Sequence, residues 1–337
     1  MKDKARVIIS GFADEASAGK TAVEQFAVFA ALGLQYYSIR FIDAGSGIKN
    51  VMQLGAGEIK RIRRLEAEYG MKVSSIGSPI GKLKIKDVDD GTKNAYVPFK
   101  KYLGREVAKA CRMAQAFDAK LIRGFSFYHP RGTDPRQYVS QAADQLGQIA
   151  EVCGRAGLTF GLEVEANLIG STGALMAEIH RQVDHPAMVL VFDAGNIVSQ
   201  GYSTDEVFEQ YMAMRPGLGW MHVKDYRHPR AARKGGAVDE EALAHFVPAD
   251  VGQGGHGKIF GDFARLLPGL EKKLRRRGVP GVFLDLEPHL KGGGQFGGLS
   301  GPDGMGAALR GLCRVLDSAG IAYHLRDFDD VRAAAGR

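Results

Sequence analysis

Four ionisable side chains stand at the same end of four consecutive apolar segments in the second half of the chain. Each segment is short and apolar, as expected of a buried strand, and the side chains at their ends are Glu163, Asp193, His222 and Glu287. A lone glutamate on a strand is more often half of a salt bridge than a metal ligand. Four such groups at successive strand ends favour a metal site, because three gathered carboxylates would repel one another without a divalent cation.

Oxygen-rich ligation with a single imidazole favours Mn²⁺, with Mg²⁺, Co²⁺, Zn²⁺ and Fe²⁺ as alternatives. Such a cation can chelate a carbonyl and a neighbouring hydroxyl oxygen, and so stabilise the enediolate that forms when a proton is removed beside the carbonyl. Epimerisation, aldose–ketose isomerisation and elimination of a β-substituent can all follow from that step. The residues therefore indicate the class of chemistry and leave the reaction open.

Other candidates lie at or near the predicted strand ends. Glu165 shares a strand face with Glu163, because side chains alternate with a period of two; we predict Glu163 as the ligand and Glu165 as a neighbour or a substrate-hydroxyl contact. Further candidate substrate contacts are Arg40, Lys82, Arg123 and His289. For the two arginines an ion pair within the fold is an equal alternative. For Lys82, a solvated loop position is slightly favoured over a contact with an anionic group of the substrate.

The elements that must position these residues alternate regularly between short apolar runs and longer segments with helical spacing. The eight predicted strands are 6–10, 36–40, 72–76, 120–125, 159–165, 188–193, 219–223 and 282–287. Several of the intervening helices end at a glycine just before the next strand, as at Gly70 and Gly157. Eight such units predict a single (βα)8 TIM barrel; an open doubly wound sheet is the weaker alternative, because no Gly-x-Gly-x-x-Gly follows the first strand.

Three connections exceed the usual length, and we expect them on the catalytic face as loops 77–98, 227–258 and 288–300. They follow predicted strands 3, 7 and 8, whose carboxyl ends face the mouth of a barrel. The length of 337 residues alone allows one domain or two. Eight strand–helix units favour a single domain over residues 1–337.

The formal net charge of +7 is compatible with nucleic acid, an anionic substrate or solubility alone. The densest basic run, 272–277, falls at the end of a predicted helix, where cations complement the helix dipole. A solvated helix end therefore explains the run better than a nucleic-acid surface, and we expect a small-molecule substrate rather than nucleic acid.

Three cysteines, an odd number, sit among helix-type apolar residues. They favour reduced core thiols and a cytoplasmic protein. The first apolar run, 7–10, is too brief for a signal sequence, and no segment approaches the roughly 18 apolar residues of a membrane span, so we expect no membrane association.

Three stretches resemble the sugar phosphate isomerase/epimerase superfamily, whose xylose-isomerase-like barrels include tagatose-type ketose 3-epimerases and inosose dehydratases. They are Phe12-Ala13-Asp14-Glu15, Gly77-Ser78-Pro79-Ile80-Gly81-Lys82 and Leu286-Glu287-Pro288-His289. The resemblance implies that Glu163, Asp193, His222 and Glu287 are the metal ligands, that Glu163 and Glu287 act as base and acid, and that the barrel associates into a homo-oligomer. Asn196 departs from the pattern, since tagatose-type epimerases have a histidine there; it keeps a hydrogen-bond donor near the sugar oxygens but lacks a titratable group.

Together these features predict a divalent-metal-dependent isomerase or epimerase acting on a sugar or sugar-like polyol. A metal-dependent lyase or dehydratase of a keto-sugar, keto-inositol or 3-keto-glycoside is the nearest alternative. An endonuclease IV-like DNA repair enzyme is less favoured, because its multinuclear zinc site needs several more histidines than these strand ends offer. A non-catalytic barrel subunit is disfavoured by the retention of all four candidate ligands.

Overall fold

Eight parallel strands form the centre of the computed structural model, which describes residues 6–228, 242–292 and 297–334. The strands are β1 (Val7–Gly11), β2 (Tyr36–Ile39), β3 (Lys72–Gly77), β4 (Leu121–Gly124), β5 (Thr159–Glu163), β6 (Met188–Asp193), β7 (Leu218–Val223) and β8 (Val282–Leu286). Their order in the sheet is β1-β8-β7-β6-β5-β4-β3-β2. An isolated bridge between Phe12 and Ser38 links β1 to β2 and closes the ring. The predicted TIM barrel is confirmed, with strand ends shifted by one or two residues.

The strands are buried on both faces, as parallel strands are when helices cover the sheet. Every residue of β6 and of β7 is buried, including the polar ones. The register places Asp193 directly opposite His222, and His222 opposite Asp285. The carboxyl ends of β6, β7 and β8 therefore lie at nearly the same level.

Eight outer helices cover the barrel. They are α1 (Ala22–Ala31), α2 (Ala56–Tyr69), α3 (Ala108–Ala116), α4 (Val139–Arg155), α5 (Gly173–Val183), α6 (Thr204–Met214), α7 (His256–Arg275) and α8 (Gly301–Ala319). Ser203 caps α6 in a capping box with Glu206, and Gly70 ends α2 in the left-handed region at φ 66°. Such capping interactions specify where a helix begins or ends independently of its packing against the rest of the protein.

Shorter helices and strands lie at both ends of the barrel. The short helices are Ala13–Ala16, Val51–Gln53, Phe99–Tyr102, Pro135–Tyr138, Ala194–Val198, Arg215–Gly217, Ala242–His245 and Phe328–Ala334, and a π-helical turn, Leu103–Val107, leads into α3. Two antiparallel pairs of short strands follow β2 and β7: Phe41–Asp43 with Ile48–Asn50, and Asp225–Tyr226 with Phe246–Val247.

The prediction of three long connections was incomplete. The connections after β3 and β8 run close to the expected bounds, and residues 293–296 of the second lie outside the described residues. The connection after β7 contains a pair of short strands, and α7 already begins at His256; residues 229–241 lie outside the described part. Segments 40–55, 125–134 and 164–172, after β2, β4 and β5, are also long; they contain turns, and in 40–55 a pair of short strands, which the pattern of apolar runs does not reveal.

None of the helices within residues 6–228, 242–292 and 297–334 combines the length and apolarity needed to cross a bilayer.

Candidate metal centre and active site

Four buried side chains meet at the carboxyl ends of β5 to β8. Glu163, Asp193, His222 and Glu287 each offer one ligand atom, and these four atoms lie within 4.8 Å of one another. Each residue is at most 4% exposed. Residues separated along the chain by more than 120 positions are brought into one cluster because parallel strands deliver their carboxyl ends to the same mouth of the barrel.

His222 stands between two of the carboxylates. Its Nδ1 lies 3.0 Å from Oε1 of Glu163 and 3.6 Å from Oε2 of Glu287. Burial lowers the pKa of His222, but the two carboxylates outweigh it and raise the pKa to about 10. Burial raises the pKa of Glu163, but His222 and Arg123 outweigh it and bring the pKa down to about 2. The cluster therefore holds its glutamates ionised despite their burial.

Asp193 ends β6 and begins the short helix Ala194–Val198. Its Oδ1 accepts a hydrogen bond of 3.1 Å from the backbone N–H of Asn196, which fixes the carboxylate at the helix start. Burial raises the pKa of Asp193, and despite the nearby Lys224 ammonium the pKa stays at about 6. This carboxylate is thus the most easily protonated of the three in the cluster.

Lys224 enters the same cluster, although the sequence analysis did not select it. Its Nζ donates a hydrogen bond of 2.8 Å to Oε2 of Glu287 and lies 3.1 Å from Oδ2 of Asp193. Burial lowers the pKa of Lys224, but the two carboxylates outweigh it and raise the pKa above its usual value. A signal was present in the sequence, because Lys224 follows His222 by two residues and the alternation of strand side chains directs both to the same face.

Arg40 lies on the β1–β2 side of the cluster. Its guanidinium contacts three buried carboxylates: Nη1 lies 2.6 Å from Glu287, Nη2 lies 3.1 Å from Glu15 and Nε lies 3.2 Å from Asp14. Burial raises the pKa of Asp14, whereas His289 and Arg40 outweigh burial at Glu15 and lower its pKa. Arg40 thus forms ion pairs within the fold, and a contact of Arg40 with substrate stays a prediction. Asp14 and Glu15 supported only the family resemblance, and their place in the site was missed.

Arg123 approaches the cluster from β4. Its Nε lies 3.3 Å from Oε2 of Glu163, and its Nη1 donates a hydrogen bond of 3.3 Å to the backbone oxygen of Ser78. The guanidinium carbon lies 4.5 Å from the ring centroid of Phe125 and 5.2 Å from that of Phe12. Arg123 is therefore held beside Glu163 by both charge and aromatic contact.

Lys82 and Glu165 lie further out, where they pair with each other. Lys82 Nζ is 3.2 Å from Oε2 of Glu165, and the side chains are 36% and 24% exposed. The ammonium also lies 4.2 Å from the ring centroid of Phe125. Glu163, the last residue of β5, is therefore the glutamate that joins the buried cluster. Glu165, two residues further on, forms a partly exposed rim of the cluster together with Lys82.

Asn196 and His289 contact glutamates at opposite sides of the cluster. The Asn196 side-chain amide donates to Oε1 of Glu163 at 3.2 Å and to the backbone oxygen of Val164 at 3.0 Å. His289 Nδ1 lies 2.7 Å from Oε1 of Glu15, and its backbone adopts a positive φ of 51°. Both residues predicted as substrate contacts therefore lie in the side-chain network around the four-residue cluster.

Phe246 packs over the Glu287 side of the site. Its ring centroid lies 5.6 Å from Lys224 Nζ and 5.1 Å from the ring of His289. The ring belongs to the short strand Phe246–Val247, which pairs with Asp225–Tyr226. This packing helps explain why the charged side chains below it are so little exposed.

The donor set fits a divalent cation. Among the described residues, Glu163 Oε2 and Asp193 Oδ2 are buried and accept no hydrogen bond, although Arg123 Nε and Lys224 Nζ lie 3.3 Å and 3.1 Å from them. Buried polar atoms without hydrogen bonds are rare and point to a further partner such as water or an ion. Three carboxylates and one imidazole match the ligand preferences of divalent metal ions.

A model of the xylose isomerase-like TIM barrel family matches residues 26–314. A search of curated proteins found no match. Among solved structures, a xylose isomerase-like TIM barrel protein from Mycobacterium smegmatis in complex with magnesium is 16% identical, with a TM-score of 0.59 over 93% of this chain and 96% of that one.

Two further solved structures resemble the chain to a similar degree. A D-allulose 3-epimerase from Methylomonas sp. is 16% identical, with a TM-score of 0.58 over 92% of this chain and 98% of that one. A probable 3-DHS dehydratase from Bacillus anthracis, involved in petrobactin synthesis, is 15% identical, with a TM-score of 0.57 over 91% and 98%. At these identities the likeness shows the fold. Because the family match extends over most of the residues, the chain belongs to the xylose isomerase-like TIM barrel family.

Proposed function

We propose that the protein is a divalent-metal-dependent isomerase or epimerase of a sugar or sugar-like polyol. The observation that supports this most directly is the buried cluster of Glu163, Asp193, His222 and Glu287, whose ligand atoms lie within 4.8 Å of one another. These four residues would hold the metal, with Mn²⁺ as the proposed ion. The bound cation would supply electrostatic stabilisation of the charge that develops on the substrate oxygens when a proton leaves the neighbouring carbon.

Glu163 is the proposed base. Its Oε2 accepts no hydrogen bond from the described residues, whereas its Oε1 is held by Asn196 and His222. One carboxylate oxygen is thus fixed by two hydrogen bonds, and the other, with Arg123 Nε at 3.3 Å, is the one left to take a proton. The low pKa of Glu163, caused by His222 and Arg123 outweighing burial, keeps it ionised, which is the form that accepts a proton.

Glu287 is the proposed acid on the other side of His222; because nearby cations outweigh burial and keep its pKa low, it would have to take up a proton before donating one. Arg40 contacts its Oε1 at 2.6 Å and Lys224 contacts its Oε2 at 2.8 Å, so both oxygens are oriented by cations. Two glutamates on either side of one imidazole suit removal of a proton from one face of a carbon and delivery to the other. That transfer yields an epimer, whereas delivery to the adjacent carbon interconverts an aldose and a ketose.

Elimination is the second candidate. Asn196 places a neutral amide beside Glu163, where a titratable histidine would offer another proton-transfer group. The fold is shared by an allulose 3-epimerase and a probable dehydratase, so the barrel itself supports either outcome. A lyase or dehydratase acting on a keto-sugar, keto-inositol or 3-keto-glycoside would use the same first proton removal and then expel a β-oxygen.

Product analysis by NMR in D₂O tests both candidates. Metal-loaded protein would be incubated with panels of ketoses, keto-inositols and 3-keto-glycosides, and with Glu163→Gln as the matched inactive variant. Deuterium at one carbon of a recovered sugar or epimer supports the proposal, and an unsaturated or deoxy product supports elimination. Neither product from any panel, together with no divalent metal in the purified protein, would overturn the proposed function.

A further inference from the structure

Lys224 occupies an unusual place among the cations of the site. Its Nζ lies 2.8 Å from Glu287 Oε2 and 3.1 Å from Asp193 Oδ2, and its side chain is only 4% exposed. Both carboxylates belong to the four-residue cluster proposed to hold the metal. Lys224 therefore contacts two of the groups that a divalent cation would need.

The two arginines of the site are anchored differently. Arg40 also binds Asp14 and Glu15, which lie outside the four-residue cluster, and Arg123 also donates to the backbone of Ser78. Within the described part of the chain, the ion pairs of Lys224 are both to the cluster. A lysine ammonium is also a compact charge on a flexible stem, so it can approach two carboxylates at once, as a metal ion does.

We propose that Lys224 is an internal competitor that weakens divalent-metal binding and so sets the metal affinity of this site. The inference rests on the proposed metal site. A fixed positive charge within a few ångströms of a second cation opposes its binding, and in a buried environment salt and water screen that opposition poorly. The ring centroid of Phe246 lies 5.6 Å from Nζ, within the range of a cation–π contact that favours the ammonium at this place.

Isothermal titration of metal-stripped protein with MnCl₂ tests this inference. Lys224→Met removes the charge and keeps most of the volume, and Lys258→Met removes one charge from an exposed pair with Asp205, so the two variants have equal net charge. We expect Lys224→Met to bind Mn²⁺ roughly tenfold or more tightly than the parent protein, because a buried like charge has been removed. Lys258→Met should bind with the parent Kd.

Further variants separate charge competition from a structural role. Lys224→Arg keeps the charge and should retain weak binding, and Lys224→Gln provides a second neutral variant if Lys224→Met does not fold. Thermal denaturation gives an independent readout, since Mn²⁺ should raise the melting temperature of the neutral variants more than that of the parent. A lysine that merely supports the fold would lower the melting temperature without tightening the metal.

The outcomes distinguish this inference from the proposed function. If the parent binds Mn²⁺ and folded Lys224→Met or Lys224→Gln binds it with equal or weaker affinity, the competition is overturned while the metal site stands. If the parent binds no divalent cation and Glu163→Gln changes nothing, the metal site fails, and the competition with it.

Discussion

His222 Nδ1 lies 3.0 Å from Glu163 Oε1 and 3.6 Å from Glu287 Oε2, so one imidazole on β7 contacts glutamates contributed by β5 and by the end of β8. The proton that strengthens both contacts is also the proton that a metal ion would have to displace. Charge balance inside the barrel and metal binding are therefore linked through a single side chain.

Mn²⁺ binding should tighten as the pH rises from 6 to 8. The carboxylates outweigh burial and raise the pKa of His222 to about 10, and burial raises the pKa of Asp193 to about 6. Both groups bind metal in their deprotonated forms, so affinity is lost as the pH falls, by up to about tenfold per unit for each proton released. Titration calorimetry in buffers of different protonation enthalpy counts those protons, with EDTA titrations as the control for buffer–metal effects. Equal Kd values at pH 6 and 8 would contradict this account.

Replacing Glu163 should have a different effect from replacing Glu165. Glu163→Gln removes a buried charge from the four-residue cluster, and we expect Mn²⁺ affinity to fall by roughly tenfold to a hundredfold. Glu165→Gln alters a partly exposed partner of Lys82 and should leave the Kd unchanged. Metal content after dialysis and direct titration check both variants. A similar loss in both would mean that the two glutamates share the metal.

Removing Arg40 should strongly destabilise the fold. Arg40→Met takes the shared guanidinium from Asp14, Glu15 and Glu287, and removing one partner of a buried ion pair costs about 3–5 kcal/mol. The carboxylates keep Lys20, His289 and Lys224 as other partners, so we expect a loss at the lower end of that range. Urea denaturation of the metal-stripped protein measures the free energy of unfolding. Arg181→Met breaks an exposed ion pair with Glu178 and serves as the control, for which we expect little change. A wild-type unfolding midpoint for Arg40→Met would show that the carboxylates find other partners.

A side chain at position 161 should destabilise the folded protein. Gly161 lies in β5 and Trp220 in β7, and a Cβ added at Gly161 would overlap the buried indole of Trp220. We expect Gly161→Ala to destabilise the protein by about 1–3 kcal/mol, the usual range for overpacking. Gly57→Ala is the matched control, since the new methyl meets no atom within 4 Å and α2 should gain about 0.5–1 kcal/mol. Thermal melts of the two variants should therefore shift in opposite directions.

Much of the site could be predicted because it follows from strand periodicity. Glu163, Asp193, His222 and Glu287 each end a short apolar segment, and a barrel brings such ends together regardless of their separation in sequence. Lys224 obeys the same rule, since it follows His222 by two residues, and its place in the site was predictable in principle. It lies one position beyond the strand itself, however, where the alternation of side chains is a weaker guide.

Other parts of the site depend on long-range geometry. Asp14 and Glu15 lie in a short helix after β1, with no periodic pattern to mark their direction. Glu15 meets His289 because β1 pairs with β8. For Arg40, the sequence placed it at a strand end but left open whether it faces a ligand or an ion pair. Whether Arg40 faces a ligand or an ion pair depends on carboxylates that follow β1 and β8. No local sequence pattern specifies where those carboxylates lie.

The strand order of the barrel also has a consequence for how the site is assembled. Neighbouring strands follow one another along the chain from β2 to β8, so β5, β6 and β7 can align Glu163, Asp193 and His222 with local partners. Glu287 arrives with β8, which pairs with both β7 and β1. The fourth ligand is thus delivered by the strand that joins β1 to the seven strands that follow it in the chain. A metal ion bound by all four residues would tie together the carboxyl ends of β5, β6, β7 and β8, and so brace the second half of the barrel up to its last strand.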